Sequence, residues 1–362
     1  MMKSLTVTYF DEQNYGASLQ AYALQKVLER HGHENRLLSY TDRNFHEKSS
    51  LKIYLKQAFF GICRLFHHSA MRRQKEGFAS FISRNLKVTE TFESMDELRE
   101  YCKDVDLVVL GSDQVLAPAV TGNREKVFCL EFVPEPIPRF CYAASLTGYS
   151  LPEERLRGVI QCLGKCTGRS LRENKTVEFL SGHGLADLRK DIDPVFLLGK
   201  QKWEEIMVRP GMKEKYLLFF QVNSNPVAQE VIDFYKKRYH LKTVCVQTNA
   251  FLQVKVDKVV LDASPEEFLG LIHDAEVVIT TSFHGTAFSI LFEKEFVTLS
   301  KPSTNPTRIL DLLESFGLKD RLVRGGKECE RLDKPDYDRV RIKLEEYVTS
   351  GLEYIDSMEK VL

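Results

Sequence analysis

The sequence predicts an α/β protein of two mostly parallel sheets that face each other across a cleft. Three observations predict it. The 362 residues correspond to about two domains at ~150 residues each. Short apolar runs alternate with stretches of three-then-four apolar spacing, the grammar of β/α units. The alternation resets near Asp193-Pro194 and the loop around Gly211, where proline and glycine interrupt the pattern. Residues 5–10 read as a strand, and Leu19, Tyr22, Ala23, Val27 and Leu28 form one face of a helix that Gly32 closes. A strand at 37–40, a helical stretch, strands at 105–110 and 140–146, a helix at 152–163 and a strand at 169–172 follow. Val195-Phe196 read as a further strand entering the core. The second series has strands at 216–222, 243–247, 259–261, 277–281 and 296–300, with helices between them. One helix start is sharply marked: in Ser264-Pro265-Glu266-Glu267 the serine caps, proline takes the first helical position and Glu267 reaches back. The expected domains are 1–198 and 199–330, with a helical segment at 331–362. No fixed-period repeat is present.

Composition narrows the function classes. Apolar residues make up 43% and charged residues 28%, as in ordinary globular chains. Lys plus Arg and Asp plus Glu number 51 each, so no overall field draws the chain to nucleic acid. The first residues lack the apolar core of a signal peptide, and runs such as 107–110 and 277–279 are far short of the ~20 residues a spanning helix needs. The eight cysteines contain no C-x-x-C pair and read as reduced core thiols of a cytosolic protein. Residues 48–75 carry Lys48, Lys52, Lys56, Arg64, Arg72, Arg73 and Lys75 and no acid. That segment is either a helix packed on the domain or a basic amphipathic helix resting on the inner face of the membrane.

Open α/β sheets bind ligands beyond the carboxyl ends of their strands, and four turns there carry candidate residues. Asn14-Tyr15-Gly16, with Gln20 behind it, is either a glycine turn that holds a sugar or anion, or a capped helix start. In Gly111-Ser112-Asp113-Gln114, Asp113 either orients a sugar hydroxyl or caps a helix. In Thr281-Ser282-Phe283-His284-Gly285 the histidine opens a helix. A helix N-terminus disfavours imidazolium, so the ring is expected to be neutral at pH 7 and to gain basicity when an anion docks; its other reading is structural. Lys301, Asn305 and Arg308 offer an anion grip, or merely solvated charge. Asp191-Ile192-Asp193 matches a short D-x-D metal pattern, but no metal is expected. No P-loop and no G-x-G-x-x-G follows a strand.

Taken in order, Asn14-Tyr15-Gly16 with Leu19-Gln20-Ala21-Tyr22, Gly111-Ser112-Asp113-Gln114, Tyr142-Ala143-Ala144-Ser145, Arg172-Glu173, Asp193-Pro194, Ser282-Phe283-His284-Gly285-Thr286, and Arg308 with Gly317-Leu318-Lys319-Asp320-Arg321 resemble the polysaccharide pyruvyl transferase family. The resemblance runs from about residue 5 to 324. It implies two Rossmann-like domains in a GT-B-like arrangement with an interdomain cleft. It also implies transfer of pyruvate from phosphoenolpyruvate, as donor and without a cofactor, to a lipid-linked or nucleotide-linked sugar, with a ketal as product. His284 would then move a proton, Asp113 would activate or orient a hydroxyl, and Asn14, Tyr15, Gly16, Gln20, Ser112 and Gln114 would lie on the acceptor side. Several relatives place arginine where this chain has Ser282. The donor's anion would therefore fall to Arg308, Arg172 and Lys301, with Thr281, Ser282, Gly285 and Asn305 beside them. Residues Val115, Leu116 and Ala117 stand where relatives carry an aromatic and then a polar residue. The competing readings are a glycosyltransferase of the same shape and a non-catalytic glycan-binding protein.

Overall fold

The computed structural model describes residues 1–41, 51–117, 121, 124–147, 149, 151–222, 224–247, 254–300 and 307–360, with the backbone alone for 51–67. Strands β1 (Met2–Val7), β2 (His33–Tyr40), β3 (Val88–Phe92), β4 (Leu107–Leu110), β5 (Arg139–Ala144), β6 (Gly168–Leu171) and β7 (Leu188–Lys190) form one sheet, in the order β3-β2-β1-β4-β5-β6-β7. Strands β8 (Tyr216–Gln221), β9 (Lys242–Gln247), β10 (Lys258–Val260), β11 (Val277–Thr280), β12 (Glu295–Leu299) and β13 (Leu322–Val323) form the other, in the order β10-β9-β8-β11-β12-β13. Every pairing is parallel. The strand order reverses between β1 and β4 in the first sheet and between β8 and β11 in the second, which is where such sheets open a crevice. The β4 run Leu107–Leu110 is buried at all four positions, as a strand covered on both faces must be.

Local sequence explains most element ends. Ser264 accepts from the Glu267 N–H while Glu267 reaches back, so the expected capping box is formed. Gly32 adopts φ +83° just past the Tyr15–Arg30 helix, a conformation that suits glycine. Val195-Phe196 corrects the expectation of a strand. Asp193 accepts from Val195 N–H, Pro194 takes the first helical position, and Pro194–Leu197 is one helical turn.

Apolar residues of both halves make one continuous core, in which Tyr15, Leu24 and Phe81 meet Trp203, Phe220, Phe268 and Phe288. Tyr15 stacks on Phe268 at 4.3 Å and donates its hydroxyl to Ala263 O at 2.9 Å. Arg73–Asp262, Arg84–Glu266 and Lys190–Asp311 pairs also span the halves. The Tyr337–Glu359 helix follows the second sheet in sequence; its first turns pack on the second half through Tyr337 and Arg341, and its later turns pack on the first. Tyr354 donates to Cys141 O at 3.0 Å, and Arg189 donates to Ser350 O and Oγ. The Leu51–Asn85 helix contains much of the basic segment; Lys48 and the side chains of 51–67 lie outside the described residues. Its described turns bury Gln74, Phe78 and Phe81 against protein. Among the described residues no helix is long and apolar enough to cross a membrane, and the seven described cysteines are free.

Candidate active site

The first half brings five strand ends together. After β1, Asn14 caps the Tyr15–Arg30 helix, accepting from Gly16 N–H at 3.0 Å and Ala17 N–H at 3.3 Å. After β4, Asp113 sits at φ +73° and pairs as a bridge with Ala144, a left-handed conformation that aspartate tolerates better than most residues. The end of β5 is bulged at Ala143, φ +46°, whose N–H is bound by Ser170 Oγ and whose carbonyl accepts from Ser112 Oγ. After β6 come Arg172 and Glu173, and after β7 comes Asp193.

Arg172 is the hub of this cluster and is only 3% exposed. Its Nη1 donates to Asp193 Oδ2 at 2.8 Å and its Nε to Glu173 Oε1 at 3.2 Å. Its Nη2 lies 3.7 Å from Asp113 Oδ1 without a hydrogen-bond partner. Burial works against the guanidinium charge, but Glu173, Asp193 and Asp113 outweigh it and raise its pKa. Glu173 is itself held by Ser145 Oγ at 2.6 Å and Thr176 Oγ1 at 3.1 Å, so the arginine is clamped from below. Its face lies over the Phe283 ring at 4.2 Å, which carries the cluster into the second half.

There β11 ends in Thr280, Ser282 caps the Phe283–Leu291 helix, and His284 lies in its first turn. The imidazole Nε2 is 3.4 Å from Asp193 Oδ2, long for a hydrogen bond, and has no other polar partner among the described residues. The ring rests against Gly16: a Cβ there would stand 2.0 Å from Nδ1. Only glycine lets the two halves approach so closely. Burial opposes ionisation of Asp193, yet His284, Arg172 and the Val195 N–H hold its carboxyl well below the usual carboxylate range. The expectation of a neutral histidine rested on the helix N-terminus alone. The structure places the Asp193 carboxylate beside the same ring.

His284, Asp113, Arg172 and Gly16 are thus brought together around Asp193. Arg308 stands within electrostatic reach of Arg172, Asp113 and Glu173, its pKa lowered by burial and by Arg172. It has no hydrogen-bond or ion-pair partner among the described residues. Other expected site residues face elsewhere. Tyr15 is 1% exposed and ties the halves together. Gln20 is fully buried and donates to Thr8 Oγ1, Tyr9 O and Ala17 O. Ser112 is fully buried, its Oγ directed at Ala143 O and Asp193. Gly285 is packed against Thr280 and Phe220, where a Cβ would meet Thr280 Oγ1 at 2.4 Å, and its N–H serves the Ser282 cap. These four are corrected from ligand contact to support of the site. Thr281 Oγ1 accepts from Val222 N–H, and Gln114 accepts from Thr147 Oγ1. Lys301 and Asn305 lie outside the described residues.

Sequence reasoning gave Asp193 and Glu173 no role in the site. The signal for Asp193 was present as D-x-D, but the two aspartates part ways: Asp191 binds Arg189 and Ser170, and Asp193 binds Arg172. Among the described residues no group of three or more His, Cys, Asp or Glu is arranged to hold a metal ion.

One family profile, described as polysaccharide pyruvyl transferase, matches residues 14–301. No curated protein sequence matches the chain. Among solved structures, S. aureus MnaA in a co-structure with UDP is similar, with 11% identity, 100% of this chain and 98% of that one covered, and a TM-score of 0.55. UDP-GlcNAc 2-epimerase from Neisseria meningitidis, bound to UDP-GlcNAc, has 12% identity, 99% and 94% covered, and 0.52. UDP-GlcNAc 2-epimerase from Methanocaldococcus jannaschii has 12% identity, 95% and 92% covered, and 0.52. At such identity the likeness is one of fold: two Rossmann-like domains in a GT-B-like arrangement.

Proposed function

Because the chain belongs to the polysaccharide pyruvyl transferase family, and is therefore a transferase, we propose that it moves the pyruvyl group of phosphoenolpyruvate onto two hydroxyls of one sugar. The acceptor is a lipid-linked or nucleotide-linked glycan precursor, the work is done in the cytosol, and the product is a cyclic ketal. One observation carries this reading. His284 of the second half is seated on Gly16 of the first, with its Nε2 and the neighbouring Arg172 Nη2 both buried and lacking hydrogen-bond partners around Asp193. A proton-transfer group and a cation are held there with no hydrogen-bond partner for those two nitrogens among the described residues, as a bound anion would require.

The chemistry balances without a redox step. His284 delivers a proton to C3 of the enol, which becomes a methyl group, and C2 gains oxocarbenium character. A sugar hydroxyl adds to C2 as Asp113 accepts or steers its proton. The C2–O bond to phosphate breaks and the electron pair leaves with phosphate. A second hydroxyl closes the ring. Of the two hydroxyl protons, one replaces that spent on C3 and the other leaves on phosphate, so no net proton or electron is required. Arg308 grips the donor's carboxylate or phosphate and Arg172 Nη2 assists, replacing the arginine that relatives carry at the position of Ser282. Asp193 holds His284 and Arg172 in register.

The test is phosphate release from phosphoenolpyruvate with a panel of UDP-sugars, polyprenyl-pyrophosphate sugars and free glycans. Wild type should release phosphate with at least one acceptor. His284→Ala should lose about 10²- to 10⁴-fold, the usual worth of a positioned acid or base. An active wild type matched by His284→Ala would remove the histidine from the mechanism. Turnover of a sugar nucleotide without phosphoenolpyruvate would replace the reading with glycosyl transfer.

A further inference from the structure

Beyond the cluster just described, the first half holds a second unexplained polar group beside Asp113. Tyr9 follows β1 at the point where the strand order reverses, and it is 3% exposed. Its hydroxyl has no hydrogen-bond partner among the described residues, whereas buried polar groups are normally paired. Charges of both signs act on that buried hydroxyl: Arg124 most strongly, then Glu12, with Asp113 and Asp11 weaker. The Arg124 guanidinium lies over the Tyr9 ring at 5.2 Å and over Phe128 at 5.8 Å, and the two rings pack at 4.6 Å. Its side chain is 28% exposed, and its ion pair with Glu12 is long, at 3.6 Å, with a carboxylate that is half in water. Such a pair holds an arginine weakly. Arg124 is therefore positioned by aromatic faces, open on one side and available to an anion.

We propose that Arg124 and Tyr9 form the subsite for the phosphate or pyrophosphate that links the acceptor sugar to its carrier. The inference rests on the reading of Asp113 as the acceptor-side carboxylate. An acceptor anchored on Arg124 by its phosphate, with a non-bridging oxygen taking the Tyr9 hydroxyl, extends its sugar toward Asp113. The forked guanidinium suits a phosphate's paired oxygens. Arg308 and Arg172 grip the donor's anion, so the protein keeps separate cations for donor and acceptor.

Calorimetric titration of the full chain with UDP, geranyl pyrophosphate and inorganic pyrophosphate tests this, using wild type, Arg124→Gln, Arg124→Lys and Tyr9→Phe. Wild type should bind at least one of the three below millimolar concentration. Arg124→Gln should weaken that probe tenfold or more, as loss of a charge-assisted contact does. Arg124→Lys should recover part of the loss by restoring the charge, and Tyr9→Phe should lie between wild type and Arg124→Gln. Selective weakening of UDP identifies a nucleotide carrier, of geranyl pyrophosphate a lipid carrier, and of all three the shared pyrophosphate alone. Equal binding by wild type and Arg124→Gln, or no binding by wild type to any probe at millimolar concentration, overturns the subsite. The outcome is separable from the proposed reaction. A chain that binds UDP through Arg124 yet releases no phosphate from phosphoenolpyruvate keeps the subsite and loses pyruvyl transfer. A chain that turns over phosphoenolpyruvate with unchanged probe binding in Arg124→Gln does the reverse.

Discussion

Gly16→Ala tests the meeting of the two halves with a single carbon atom. The new Cβ would stand 2.0 Å from His284 Nδ1, 2.5 Å from Cγ and 2.7 Å from Cε1. The ring, or the helix that carries it, must retreat by roughly 1.4 Å to reach ordinary contact. Asp193 already lies 3.4 Å from Nε2, so a retreat of that size disrupts their pairing. Away from His284 the substitution should help, because alanine in a helix is favoured over glycine by up to about 1 kcal/mol. Overpacking costs about 1–3 kcal/mol, and the net effect should be destabilising. In a His284→Ala background the clash is gone and Gly16→Ala should be neutral or stabilising. The assay is a double-mutant cycle by denaturant unfolding, in which the expected coupling is about 1–3 kcal/mol. Activity gives a second readout: a misplacement of about 1 Å can cost ~10²-fold, so phosphate release should fall by that order in Gly16→Ala. Additive stabilities and an unimpaired single variant would refute the juxtaposition, whatever reaction the protein performs.

Three further outcomes follow from the same cluster. Arg172→Lys, which cannot reach Asp193 and Glu173 with one planar fork, should unfold at lower denaturant, with about 3–5 kcal/mol as the scale for breaking a buried pair, and should lose phosphate release. Because the folded-state pKa of Asp193 lies below the unfolded one, its stabilising contribution is complete above pH ~4 and is lost as the pH falls toward the folded value. The stability gap between wild type and Asp193→Asn should accordingly stay level from about pH 8 to 5 and narrow only in acid. Arg308→Ala should raise the KM for phosphoenolpyruvate at least tenfold while leaving the unfolding midpoint within experimental scatter, since this arginine has no ion-pair partner among the described residues to lose; an unchanged KM removes it from the donor site.

The sequence was most legible where the signal was local. Strands with apolar runs, the Ser264 box and Gly32 all state their conformation within a few residues. Strands β3, β7 and β13 were not visible, because Val88–Phe92 is largely polar and partly exposed, Leu188–Lys190 has three residues and Leu322–Val323 two; these are strands chiefly because a neighbour offers them hydrogen bonds. The same division runs through the site. A glycine turn or a histidine at a helix start marks a strand end, and His284, Asp113 and Gly16 lie at such ends in one cluster. Which way a side chain points was not announced. Tyr15, Gln20 and Ser112 occupy the right turns but face inward. Asp193 acquires its meaning from β6, which sets Arg172 beside it, a pairing between neighbouring parallel strands that no local pattern contains.

The closing helix, Tyr337–Glu359, has a consequence for how the molecule is made. Tyr354 fills the space above Gly168 and Cys141, and Gly351 lies against the Tyr142 hydroxyl. Chains emerge from the ribosome amino end first, and amino-terminal domains usually settle before the rest is synthesised. Here the first half cannot complete its own surface until a helix that lies beyond the entire second sheet has been translated. The nascent first sheet must therefore wait, uncapped, for residues that follow the second sheet.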